Sequence, residues 1–94
     1  MLEKVKLALR IKTDAFDDEL EDLIAAGVRD LGIAGLLDSV LVEPVADPLI
    51  IRVVVTYCKL HFGEPDDPER LQRSYDAQKA QLMSATGYTD WGKD

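Results

Sequence analysis

One segment limits what this chain can fold into more than any other: the run Leu49 to Phe62, framed by Asp47-Pro48 before it and Gly63 after it. Asp followed by Pro is a helix start, with Asp as the N-cap and Pro at the first helical position, where its missing N–H is not needed. Between those signals the residues are apolar on almost every face, interrupted by Arg52 and Lys59. The β-branched residues Ile50, Ile51, Val53, Val54 and Val55 favour a strand locally. The length of the run, its Asp-Pro start and the continuation through Tyr57, Cys58, Lys59 and Leu60 without alternation favour a helix. A helix apolar on most faces has to be a central one, covered by the rest of the chain.

The remaining segments supply the cover. Leu2, Val5, Leu7, Leu9 and Ile11 fall on helical spacing and predict a short first helix over residues 2–11. Thr13 or Asp14 is the expected N-cap of a second helix, whose first turns hold Asp17, Asp18, Glu19, Glu21 and Asp22, where carboxylates meet the positive end of the helix dipole. Leu20, Leu23, Ile24, Gly27, Val28 and Leu31 form its apolar stripe, and Gly32 is the expected stop. Ile33 to Ala46, with Gly35 and Pro44, is expected to be an ordered connection bringing Leu36, Leu37, Val40, Leu41 and Val42 to the core, with a short extended piece at Ser39 to Glu43. Asp67-Pro68 repeats the helix start. A last helix follows, with Leu71, Tyr75, Gln78, Leu82 and Ala85 inward and Gly87 as its end, and then a tail over residues 88–94. The predicted class is all-α: one domain over residues 1–94, a small bundle of about four helices with a long ordered connection between the second and third.

With 94 residues the core is modest, and association with copies or partners is a natural source of further stability. The hydrophobic fraction of 47% argues against disorder. A formal charge of -7 with scattered basic residues opposes binding to phosphate backbones. The single cysteine, Cys58, lies in the apolar run and reads as a core thiol in a reducing compartment. The start is charged from Glu3 onward, unlike a signal peptide, and no stretch is apolar enough to span a membrane. A soluble chain made in a cytoplasm is expected.

Chemistry-bearing patterns are sparse. Cys58 and His61 form an i, i+3 pair, but two ligands are too few for zinc even with Glu64 or Asp66 near, and His61 suits the carbonyls at a helix C-terminus. The carboxylates from Asp14 to Asp22 lack the glycine and terminal glutamate of a calcium loop. Ser39, Ser74 and Ser84 carry no nucleophile motif, and no glycine-rich phosphate loop follows a strand. Arg70, Gln72, Arg73, Gln78 and Lys79 resemble a recognition-helix face, without the wider basic surface that DNA binding requires. No enzyme, metal site or cofactor is expected.

The order of "DAFDDELEDLI", "DPLIIRVVVTYCKLHFGEPDDPERL" and "YDAQKAQLMSATGYTDW" resembles the head-tail connector (adaptor) proteins of tailed phages and prophages over nearly the whole chain. Its marks are Tyr57 with Phe62-Gly63, and Tyr75, Leu82 and Gly87-Tyr88. The resemblance implies a non-enzymatic helical subunit of a ring, roughly a dodecamer, under the portal protein. Such a ring extends the DNA channel and receives the tail or a head-completion protein, with DNA as passing cargo and no membrane. The place of action would be the head-tail junction of the virion, after assembly in the bacterial host cytoplasm. A DNA-packaging accessory or helical DNA-binding regulator is the alternative. Tyr88 and Trp91 in the tail are the candidate residues for docking on a neighbouring subunit or the portal, because aromatic anchors often dominate interfaces; folding back onto their own domain is the alternative.

The charge gives a first prediction. The isolated protein should bind duplex DNA no more tightly than about 10⁻⁴ M at physiological salt, measured by fluorescence anisotropy; tight, steeply salt-dependent binding would support the regulator instead.

Overall fold

In a computed structural model, the described residues are 1–36, 41, 45, 47–84 and 88. Four helices run in chain order: α1 (Leu2–Leu9), α2 (Asp17–Ala34), α3 (Pro48–His61) and α4 (Pro68–Ser84). There is no strand among the described residues. The all-α architecture expected from the sequence is the observed one.

The central helix is α3, packed against α1, α2 and α4. Its start is built as the dipeptide requires. Asp47 Oδ1 accepts from Leu49 N at 2.8 Å and Ile50 N at 3.4 Å, and Pro48 occupies the first turn. Ile50, Val53, Val54 and Cys58 are buried, and the Thr56 hydroxyl donates to the Arg52 carbonyl at 3.1 Å. The local preference of the β-branched run for a strand yields to burial on several sides. Phe62 leaves the helix in an extended conformation and Gly63 turns at φ 63°, where a side chain would be strained.

Three boundaries differ from the sequence expectation. The expected cap of α2 at Thr13 or Asp14 is corrected to Phe16, and the helix begins at Asp17. Thr13 and Asp14 are used to form the preceding turn, with Ala15 N donating to Thr13 Oγ1 and Asp17 N donating to the Asp14 carbonyl. The Asp14 carboxylate is drawn off to Lys6. Asp17, Asp18 and Glu19 in the first turn offset the missing side-chain cap through the helix dipole. At the other end, the helix passes Gly32 and stops at Gly35, whose φ of 121° lets its N–H reach the Gly32 carbonyl while Leu36 N donates to Leu31. The first helix also stops early. Arg10 takes the left-handed conformation at φ 60°, and Ile11 N closes back on the Lys6 carbonyl at 2.9 Å.

The core comprises Val5, Leu20, Ile24, Leu31, Ile50, Val53, Val54, Cys58, Tyr75 and Leu82, joined by Leu36, Leu41 and Val45 from the connection. Leu36 and Leu41 are therefore core residues as expected; Leu37, Val40 and Val42 lie outside the described residues. Of the expected extended piece at Ser39 to Glu43, only Leu41 is described, and its backbone is helical. The expected inward residue Ala85 and helix end Gly87 also lie outside. In the stripe of α2, Leu20 and Leu31 are wholly buried, whereas Leu23 and Val28 are half-buried against the cluster. Gly27 lets α2 approach α3: a Cβ there would stand 3.1 Å from Tyr57 Cδ1.

Leu31→Ala should cost about 2–5 kcal/mol and Leu23→Ala clearly less, as read from urea unfolding midpoints. Equal costs at the two positions would contradict this account of the α2 stripe.

Candidate assembly site

Three polar linkages hold the helices in register. The first begins with Lys6, a charged residue of α1 that lies among the buried ones. The residue is only 7% exposed. Its Nζ stands 2.8 Å from Asp17 Oδ1 and 2.9 Å from Asp14 Oδ1, joining α1 to the start of α2. Asp17 first and Asp14 second hold the ammonium well above the usual lysine value. The signal was present in the spacing: Leu2, Lys6 and Leu9 share one helical face, so Lys6 had to lie over the core. The aliphatic stem covers apolar surface while the head finds its carboxylates.

The second linkage joins α2 to α4. The Tyr75 hydroxyl donates to Asp30 Oδ2, and Lys79 Nζ stands 3.2 Å from the same oxygen. Lys79 also lies 5.0 Å from the centre of the Tyr75 ring. The ring of Tyr75 meets that of Tyr57 at 5.5 Å, and Tyr57 meets His61 at 4.3 Å, so the aromatic series crosses α3. The Tyr75 hydrogen bond, assisted by Lys79, holds the Asp30 carboxyl below its ordinary value; burial and the Asp30 charge push the Tyr75 phenol up. Desolvation raises Tyr57 as well.

The third linkage concerns Tyr88, one of the two candidate docking residues. It is half-buried, packs against the core cluster and donates from its hydroxyl to Asp47 Oδ2 at 2.7 Å. Asp47 thus uses Oδ1 for the start of α3 and Oδ2 for Tyr88, which lowers its carboxyl below the ordinary value. Trp91, the other candidate, lies outside the described residues.

The remaining chemistry-bearing residues stay apart. Cys58 is fully buried, with burial pushing its thiol up to about 11, while His61 is exposed against Tyr57. Among the described residues no group of three or more His, Cys, Asp or Glu could hold a metal ion. Ser74 is exposed, the Ser84 hydroxyl donates to the Ala80 carbonyl at 3.0 Å, and Ser39 lies outside the described residues. Asp18, Glu19, Glu21 and Asp22 are exposed on α2. No described helix is long and apolar enough to cross a membrane.

The polar side chains that converge in this small helical unit join its own segments, and the class of the protein comes from its family: a phage structural protein. The family model described as "Phage connector protein" matches residues 1–89, and the chain belongs to that family. Comparison with curated proteins and with solved structures found no match. Family membership implies a phage structural component of the virion that interacts with other phage structural proteins.

Tyr75→Phe removes the neutral donor from Asp30 and should cost about 0.5–1.5 kcal/mol at pH 7. Because the Asp30 carboxyl is depressed in the folded state, its contribution is complete above the unfolded carboxyl value of about 3.9 and fades as pH falls through the folded one. The stability gap between wild type and variant should therefore narrow from pH 5 to pH 2 in denaturant titrations. A gap that widens toward acid would contradict the assignment.

Proposed function

We propose that this chain is the repeating subunit of a head-tail connector ring that joins the portal vertex of the DNA-filled head to the tail, in a phage or prophage, and prolongs the DNA channel. The observation that carries the reading is the connector family's match over residues 1–89. The net charge of -7 supports it, since a channel wall of like charge does not hold passing DNA. A small core supports it as well, because ring neighbours add buried surface that the subunit lacks alone. The partners in this reading are copies of the same chain in a ring, the portal protein, and a tail or head-completion protein. The ring assembles in the host cytoplasm and remains at the head-tail junction. The role is structural and calls for no catalytic step and no cofactor.

Within that role, Tyr88 and Trp91 are the proposed docking residues of the tail over 88–94. Tyr88 has a partner within its own chain in Asp47, so its share in docking would require release of that hydrogen bond. Trp91 carries the larger apolar surface. Truncation after Thr86 tests the pair. The expected outcome is a chain that still folds, with a loss of about 0.5–1.5 kcal/mol for the Tyr88 hydrogen bond and a further loss for its packing on the core, and that fails to attach to portal particles in a co-sedimentation assay. Attachment at wild-type level would remove the tail from the docking surface, and loss of folding would place both rings in the domain's own core.

A further inference from the structure

Leu7 is 80% exposed on α1, the most exposed large hydrophobic side chain among the described residues, with Ile33 next at 77%. Leu7 lies about 140° around the helix from Leu2, which packs inward against the core. On either side along the chain are Lys4 and Arg10, both exposed. Elsewhere on the molecule, Met1, Leu2, Glu21, Ile24 and Ala25 line an open hollow of about 300 Å³ between the start of α1 and the middle of α2. Four of these five residues are apolar, and the fifth is a carboxylate. Asp18 and Asp22 extend the acidic rim along the same helix. None of Lys4, Arg10, Asp18, Glu21 and Asp22 makes an ion pair among the described residues.

We infer that Leu7 of one copy seats in this hollow on the next copy, with Lys4 and Arg10 facing Glu21, Asp22 and Asp18 across the contact. The inference rests on the ring reading above and supplies its subunit contact. The hollow has more than enough room for a leucine side chain, and the charges on knob and rim are opposite. Knob and hollow are separate patches on different faces of α1. Used in sequence from copy to copy they make a head-to-tail contact, the type that closes into a ring when the rotation between copies allows it, whereas reciprocal seating would stop at a two-fold dimer. Apolar insertion supplies the attraction, and the unpaired charges fix orientation and speed encounter.

Sedimentation velocity of the full chain over a range of concentrations tests this. Wild type should form species larger than a dimer. Leu7→Gln should remain monomeric at concentrations at least tenfold higher, with an unchanged thermal midpoint because the residue is exposed. Glu21→Lys should weaken assembly, and adding Lys4→Glu to the same chain should restore it at least in part. Assembly of Leu7→Gln at wild-type level, a wild type that stops at a dimer, or a wild type that stays monomeric throughout would each overturn the inference. Co-sedimentation with portal particles separates the two proposals. A chain that attaches but assembles without Leu7 keeps its connector role and loses this contact, whereas one that assembles through Leu7 but never attaches keeps the contact and loses the role.

Discussion

Everything else in this fold follows from the need to cover α3. α3 buries Ile50, Val53, Val54 and Cys58 on one face and Thr56 away from it, and among its residues Leu49, Arg52 and His61 are exposed, so most of its surface has to be covered. It requires neighbours on several sides, and the chain has only three other helices among the described residues to provide them. α2 and α4 supply most of the cover, α1 closes a further side, and Leu36, Leu41 and Val45 are drawn in from the connection. The burial also explains why β-branched residues sit in a helix here. Their strand preference amounts to a fraction of a kcal/mol each, whereas each buried side chain gains about 1.5–3 kcal/mol.

The sequence made α3 and its limits legible because Asp-Pro and Gly act locally, through one cap and one positive φ. The same holds for the Asp67 cap of α4, which accepts from Arg70 N. Readings failed where a side chain had a competing use elsewhere. Asp14 has the chemistry of an N-cap, but Lys6 claims its carboxylate at 2.9 Å, a partner eight residues away that no cap rule weighs. Gly32 and Gly35 are equivalent in composition, and only the backbone conformation at Gly35 shows which one ends α2. Lys6 was missed because a charge reads as exposed by default, although its spacing with Leu2 and Leu9 placed it on the inner face. The Asp30–Tyr75–Lys79 cluster joins residues 45 and 49 positions apart, a pairing that helical periodicity does not encode.

The candidate site was legible only in part, for a related reason. Tyr88 and Trp91 stood out because large aromatics follow the end of a helix. Their chemistry alone cannot distinguish a ring that reaches outward from one that folds back. The position of Tyr88 on Asp47 links the tail to the start of α3, so the same carboxylate that opens the central helix also holds the chain beyond α4. Leu7 is the converse case. Its spacing with Ile11 made it look like a core residue of a longer first helix, yet it lies on the far side of α1 from the inward Leu2, and the helix ends at Leu9 and turns at Arg10.

That early turn bears on how an acidic protein can associate with itself. Net charge of one sign makes copies repel on average, so contacts between them have to match local charge rather than total charge. Ending α1 at Leu9 keeps Lys4 and Arg10 on one short exposed element, while the unpaired carboxylates Asp18, Glu21 and Asp22 gather on α2. Pairing within the subunit would have used up both sets. Lys6 does pair, and it does so under the surface with Asp14 and Asp17, at the α1–α2 junction. The division is physical: the lysine over the core neutralises the carboxylates that must lie beside it, and the charges on the outer faces are left for another molecule. A subunit organised in this way can remain separate at low concentration, where like charge dominates. It can assemble when neighbours are held in the one orientation that brings α1 of one copy to α2 of the next.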